Sequence, residues 1–187
     1  MEQLRRFLSA VPSRWRLFFE TLAATGARWS EAAAWQCKDL DLERSCLKVR
    51  RSLSHLGEEQ PPKTDQSRRE IPLSPELLAK LKDQVSDRPP EALIFGARNG
   101  APLRAENVRR RQLSPAAQIA GIPWVGFHTF RHTAASLLFA GGANIIEVQK
   151  FLGHHLPSFT LDTYVHLLEQ DQGPALDLGA MIRRSDQ

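Results

Sequence analysis

Over residues 40–73 the apolar residues stop recurring at helical spacing and alternate instead, with Leu47 and Val49 set against Lys48 and Arg50, then Ile71 and Leu73 around Pro72. On either side the spacing is helical. A single short alternating stretch inside a helical pattern points to an α+β, mainly helical domain with a small antiparallel sheet. Between the strands lies a polar, proline-containing segment, residues 57–69, too polar for a core and suited to an exposed turn, so Lys63 sits on or beside a hairpin. The 187 residues suit one medium domain with a single sizeable core, or one domain plus a short tail.

Around the sheet the helices are marked by their ends. A stripe of Leu17, Phe18, Thr21 and Leu22 runs from about Ser13 and stops at Gly26, which reads as a C-terminal cap. Ser30 can cap a second short helix over residues 31–35, which places Arg28 in the tight junction between two helices. Ser74-Pro75-Glu76 starts another helix, with the hydroxyl at the cap and proline in the first turn. Helical spacing returns over residues 104–120, with Pro115 expected to break or kink it. Further helices are predicted over 129–140, over 144–152 with Asn144 and Glu147 as a capping pair, and over 158–168. Ile145, Ile146, Val148, Phe151 and Leu152 read as a core stripe, and Trp15, Trp29, Trp35 and Trp124 as packing residues. Residues 173–187 show no strong pattern.

Composition narrows the chemistry. The net charge is +4 and Arg outnumbers Lys 19 to 6. Such an excess fits a phosphate-bearing partner, because a guanidinium fork matches phosphate oxygens, although a merely basic protein would have the same composition. Cys37 and Cys46 form neither a disulfide framework nor a CxxC clip, which disfavours cysteine chemistry and suits a reducing, intracellular setting. No GxxxxGK[ST] or GxGxxG occurs, which disfavours nucleotide hydrolysis. His128 and His132 have i, i+4 spacing, but Thr129 stands where a zinc-protease helix needs glutamate and no third ligand is evident, so no metal is expected. The longest apolar stretch, residues 134–143, is far short of the roughly 20 residues that span a bilayer. Residues 1–10 have no apolar core of a secretory signal, so the product is expected to stay in the cytoplasm, away from membranes.

His128 and Arg131, at i and i+3 of a helix start, are expected to project to one side. Alone, such a pair is an ordinary solvated face, Arg28 could simply pair with Glu31, and Lys63 could be any hairpin lysine. The order of motifs says more. Thr25-Gly26-Ala27-Arg28-Trp29-Ser30-Glu31 is followed by Pro62-Lys63-Thr64 and by Ser67-Arg68-Arg69-Glu70-Ile71-Pro72-Leu73. Then come His128-Thr129-Phe130-Arg131-His132-Thr133, Leu152-Gly153-His154 and Thr163-Tyr164. Over residues 15–168 this closely resembles the catalytic domain of the tyrosine recombinases, the phage-integrase family of site-specific DNA recombinases.

The resemblance implies a role for each residue. Arg28 and Arg131 would clamp the non-bridging oxygens of the scissile phosphate, where losing one preorganised donor typically costs about 10²- to 10³-fold in rate. Lys63 would protonate the departing 5′ oxygen, His128 would act as general acid and base, and His154 would hydrogen-bond the phosphate. Tyr164, the chain's one tyrosine, would be the nucleophile of a 3′-phosphotyrosyl intermediate, which makes cofactors and metals unnecessary. Glu31 would support the site by orienting basic neighbours, and His132 and His155 would stand behind it. Arg50, Arg51, Arg109, Arg110 and Arg111 would contact double-stranded DNA through its phosphates, the last three being otherwise a solvated charge run. A homotetramer on paired sites would carry out the full reaction, in a nucleoid-associated protein of a bacterial or phage-infected cell.

Departures from the family pattern are modest: Ala27 stands where the family often has a larger aliphatic, and the loop over 155–159 differs from the commoner serine-rich version. The expected organisation is a catalytic domain over 1–172 and a tail over 173–187 that could pass to a neighbouring protomer. No N-terminal core-binding domain fits upstream, so the chain would be an isolated domain, a fragment or a minimal member. Rival readings are a type IB topoisomerase using the same chemistry and a DNA-binding remnant without turnover.

Overall fold

The computed structural model describes residues 1–54, 57–61 and 68–153. In chain order the helices are α1 (Glu2–Ala10), α2 (Ser13–Thr25), α3 (Trp29–Ala32), α4 (Pro75–Val85), α5 (Ala105–Val108), α6 (Ser114–Ile119), α7 (Phe127–Ala140) and α8 (Ile145–Leu152). The strands are β1 (Leu40–Asp41), β2 (Cys46–Val49), β3 (Ser52–Leu53), β4 (Glu59–Gln60) and β5 (Arg69–Pro72). The α+β, mainly helical reading is therefore borne out.

Helix α2 is the element the core is built on, because Phe18, Phe19 and Leu22 are almost fully buried along it. Phe19 lies 5.2 Å from the Phe7 ring of α1 and 5.5 Å from the Phe130 ring of α7, so three helices meet through one aromatic cluster. The helix ends at Gly26, whose φ of 58° is left-handed. A Cβ at this position would lie 2.6 Å from Leu152 Cδ2 and 3.0 Å from Ala134 Cβ. Glycine thus lets the end of α2 press directly against α7 and α8.

Helix α1 is an addition to the sequence reading. Four apolar residues, Leu4, Phe7, Leu8 and Val11, share the face that packs on the core, while Glu2, Arg5 and Arg6 pair with one another outside. So short a stripe, among charges, gave too little periodic signal to be recognised.

The small sheet has the strand order β1-β2-β5, all antiparallel, with Leu47 opposite Ile71 and both completely buried. Strands β3 and β4 form a separate two-stranded piece. The hairpin segment that carries Lys63 lies outside the described residues, as do the helix expected over 158–168 and the tail over 173–187.

Two local expectations need correction, and one takes a form of its own. Helix α3 begins at Trp29, not Glu31, with Arg28 as its N-cap residue. The Glu31 carboxylate accepts the Arg28 backbone N–H at 2.8 Å, doing the work expected of the Ser30 hydroxyl. At Pro115 the regular α-helix is interrupted, but by a change of helix type. The proline has no N–H to offer the preceding turn, and the chain widens there into a π-helical turn over Arg109–Leu113 before α6 continues. Trp124 and Ile146 are not core residues but stand 65% and 45% exposed. Among the described residues no helix is long and apolar enough to cross a membrane.

The Gly26 contact yields a direct expectation. Gly26→Ala should destabilise the domain by about 2–4 kcal/mol in urea unfolding, because the left-handed conformation and the crowded Cβ both count against it.

Candidate active site

Glu31, in the first turn of α3, is only 4% exposed. A buried carboxylate must be neutralised and hydrogen-bonded, and here it receives four donors. Oε1 accepts from Arg28 Nη1 at 2.9 Å and from Arg69 Nη1 at 3.1 Å. Oε2 accepts from the Arg28 backbone N–H at 2.8 Å and from Arg69 Nη2 at 2.9 Å. Burial alone would push the Glu31 carboxyl upward, but the Arg69 guanidinium, seconded by Arg28, outweighs it and holds the group below the ordinary glutamate range.

The same arginines converge on the C-terminus of α8, where a helix leaves its last carbonyls without intrahelical partners and carries partial negative charge. The Phe151 carbonyl accepts from Arg69 Nε at 2.8 Å, the Leu152 carbonyl from Arg131 Nη2 at 2.7 Å, and the Gly153 carbonyl from Arg28 Nη2 at 3.4 Å. Three successive carbonyls are taken by three arginines from three distant parts of the chain. Arg131 also donates through Nη1 to the Gly26 carbonyl at 2.8 Å, tying the end of α2 to the end of α8. Gly153 follows with φ 67°, and a Cβ on it would lie 2.9 Å from Arg69 Nη1.

These side chains differ in openness. Arg69 and Arg131 are buried, whereas the Arg28 side chain is 37% exposed. His128, in the first turn of α7, is exposed rather than turned inward with Arg131. A close ring contact, Trp29 to Phe127 at 4.3 Å, pins the starts of α3 and α7 together, and Arg28 and His128 are the residues beside that pair. His132, one turn further along α7, is also exposed at its surface. Partial burial, then the neighbouring charges of His128 and Arg131, lower its pKa.

Lys63, His154, His155 and Tyr164 lie outside the described residues. Of the residues expected to meet DNA, Arg50 is exposed at a basic cleft of about 510 Å³ lined by Lys48, Val49, Arg50, Arg68, Arg69 and Glu70. Arg109, Arg110 and Arg111 are exposed on the π-helical turn. Arg51 is different: its guanidinium is engaged by the buried Asp39 carboxylate and, at 3.1 Å, by Glu59, leaving its side chain 12% exposed. Among the described residues no three His, Cys, Asp or Glu side chains are grouped to hold a metal ion.

Arg69 was not among the site residues expected from sequence. Its signal was the alternation of β5, which puts Arg69 on the same face as the buried Ile71, and an arginine on the buried face of a strand requires an acidic partner.

Fold and site together define an α+β, mainly helical domain whose basic side chains are collected around one helix end. The chain belongs to the phage integrase family, whose description matches residues 1–171. It is 26% identical over 203 residues to a tyrosine recombinase XerC-like protein of Caldanaerobacter subterraneus subsp. tengcongensis, covering 94% of this chain and 52% of that one. The fold matches the Tn1549 transposon integrase with a TM-score of 0.74 at 22% identity, over 98% of this chain and 64% of that one. The catalytic domain of bacteriophage HP1 integrase matches with a TM-score of 0.61 at 23% identity, over 88% and 83%. The chain spans about half the length of the curated relatives it matches.

The Glu31 cluster makes stability depend on pH. A carboxyl whose folded-state pKa lies below its unfolded one contributes stability above the ordinary glutamate range and loses it as the solution is acidified through the folded value. Glu31→Gln leaves Arg69 buried without its anion, a change that typically costs about 3–5 kcal/mol at neutral pH. In urea titrations over a pH series, the gap between wild type and this variant should close progressively below about pH 4.3.

Proposed function

We propose that this chain is the catalytic domain, over residues 1–172, of a tyrosine-type site-specific DNA recombinase. The observation that carries this reading is the convergence of Arg28, Arg69 and Arg131 on the Phe151, Leu152 and Gly153 carbonyls, immediately before His154. Arginines held this way are preorganised, so charge developing on a phosphate meets donors that need not be reoriented. Support also comes from the family membership and from the Tn1549 integrase, which was solved with transposon right end DNA.

In the proposed reaction the Tyr164 oxygen attacks the scissile phosphorus, the phosphorus–5′-oxygen bond breaks, and Lys63 delivers a proton to the departing oxygen. The tyrosyl proton passes to a base near the phosphate, for which His128 is the candidate. The 3′-phosphotyrosyl ester conserves the phosphodiester, so a 5′-hydroxyl can attack it in the reverse sense and rejoin a strand without an energy source. Arg28 and Arg131 neutralise the non-bridging oxygens, and His154 adds a further hydrogen bond. Arg50 and Arg109 to Arg111 track flanking phosphates of double-stranded DNA. Four such domains, each within its own protomer and exchanging residues 173–187 with a neighbour, would act on two paired sites in the nucleoid of a bacterial cytoplasm.

A nicked suicide duplex tests the nucleophile and the acid separately. Wild type should form a denaturation-resistant DNA adduct and Tyr164→Phe none, and an adduct persisting in that variant would sink the assignment. Lys63→Ala should slow cleavage about 10²- to 10⁴-fold on an ordinary phosphodiester. On a 5′-bridging phosphorothiolate, whose thiolate leaves without a proton, most of that loss should vanish.

A further inference from the structure

Arg28 donates to a buried carboxylate, and that poses an electrostatic difficulty. An arginine paired with a glutamate is, seen from a few ångströms away, a neutral dipole, and it attracts a phosphate far less than a free guanidinium does. Burial sharpens the problem, since low polarisability around Glu31 leaves its charge weakly screened.

The arrangement of donors resolves it. Each Glu31 oxygen takes one hydrogen bond from Arg28 and one from Arg69. Arg69 gives the carboxylate both terminal nitrogens, gives its Nε to the Phe151 carbonyl, and leaves its side chain only 6% exposed. Arg28 gives Glu31 a single side-chain nitrogen, its other contact there being the backbone N–H, and remains more than a third exposed. The three groups together carry one positive charge, and the open member of the set is Arg28.

We propose that Arg69 is a positioning residue that acts as the internal counter-ion of Glu31, so that Arg28 keeps its charge for the phosphate while Glu31 still fixes its geometry. This rests on the reading of the site as one that holds a DNA phosphate. Gly153 belongs to the same device, because any larger residue there would collide with the Arg69 guanidinium that neutralises Glu31. Arg69 lies at the start of β5 and its Nε grips the Phe151 carbonyl of α8, so the counter-ion also joins the sheet to the end of that helix.

The test is a comparison of Arg69→Met, Arg69→Lys and the double variant Glu31→Gln/Arg69→Met with wild type. Arg69→Met leaves Glu31 and Arg28 as a neutral pair, whereas the double variant restores one net positive charge without restoring the contacts Arg69 made. The first readout is inorganic phosphate titrated against the Arg28 Nε–H resonance, which requires no catalysis. The second is single-turnover adduct formation on the suicide duplex, with duplex affinity measured alongside.

Arg69→Met should bind phosphate at least tenfold more weakly and form adduct at least tenfold more slowly. The double variant and Arg69→Lys should both return to within threefold of wild type in phosphate binding. If the double variant is as poor as Arg69→Met, Arg69 is a cross-link of the fold and the counter-ion role is overturned. An unchanged Arg69→Met overturns it equally. Should Arg69→Met fail to fold, the double variant, which has no unpaired buried anion, decides alone: recovery within threefold supports the role and a tenfold loss ends it. If wild type forms no adduct while the order of phosphate affinities holds, the recombinase reading fails and the counter-ion role stands.

Discussion

A carboxylate withdrawn from water at Glu31 sets the terms for everything around it. Its desolvation must be offset by charge and by hydrogen bonds to both oxygens, and four donors from Arg28 and Arg69 provide them. Because one of those arginines starts α3 and the other starts β5, the carboxylate fixes the sheet relative to the helix that follows α2. The open arginine of the pair is therefore placed by a folded interior and not by a surface loop.

The second constraint is the C-terminus of α8. Its last carbonyls would ordinarily face water or a cap, but here they accept from three guanidinium groups. Guanidinium suits this position because its forked donors can serve two acceptors at once, as Arg131 does between Gly26 and Leu152. The close approach depends on two glycines with left-handed backbones, Gly26 against Leu152 and Ala134, and Gly153 against Arg69. Site geometry and helix packing are thus the same set of contacts, and neither can be altered without the other.

Much of this was legible in the sequence where a local signal exists. The end of α2 at Gly26, the Ser74 cap of α4 and the Asn144–Glu147 pair of α8 follow from residues that act on their immediate neighbours. The motif order singled out Arg28 and Arg131, which the structure brings to the end of α8, and the alternation between Leu47 and Ile71 located the sheet. What was not legible is what depends on partners distant in the chain. Arg69 meets Glu31 across 38 positions and Phe151 across 82, and nothing in its own motif names either. Ile146 and Trp124 look like core residues by type, yet the faces they occupy have nothing packed over them among the described residues. Pro115 signals that the α-helix is interrupted, but not that the interruption takes the form of a π-helical turn.

The arginine excess has more than one physical source in this fold. A surplus of guanidinium fits a phosphate partner, and exposed Arg50 and Arg109 to Arg111 are free to serve one. Other arginines meet the needs of the fold itself: Arg51 is held by Asp39 and Glu59, and Arg88 donates to the carbonyls of Gln84, Leu93 and Ile94. Arg69 and Arg131 do the same around α8. Both uses draw on one property, a planar fork of donors that stays charged in a partly buried setting, and lysine supplies neither the fork nor the plane. Buried arginines need carboxylates and carbonyls to hold them, as Arg69 and Arg131 have in Glu31 and in the carbonyls of Phe151, Leu152 and Gly26. The surplus over lysine therefore measures how much of the interior is organised around guanidinium as well as how much surface is offered to an anion.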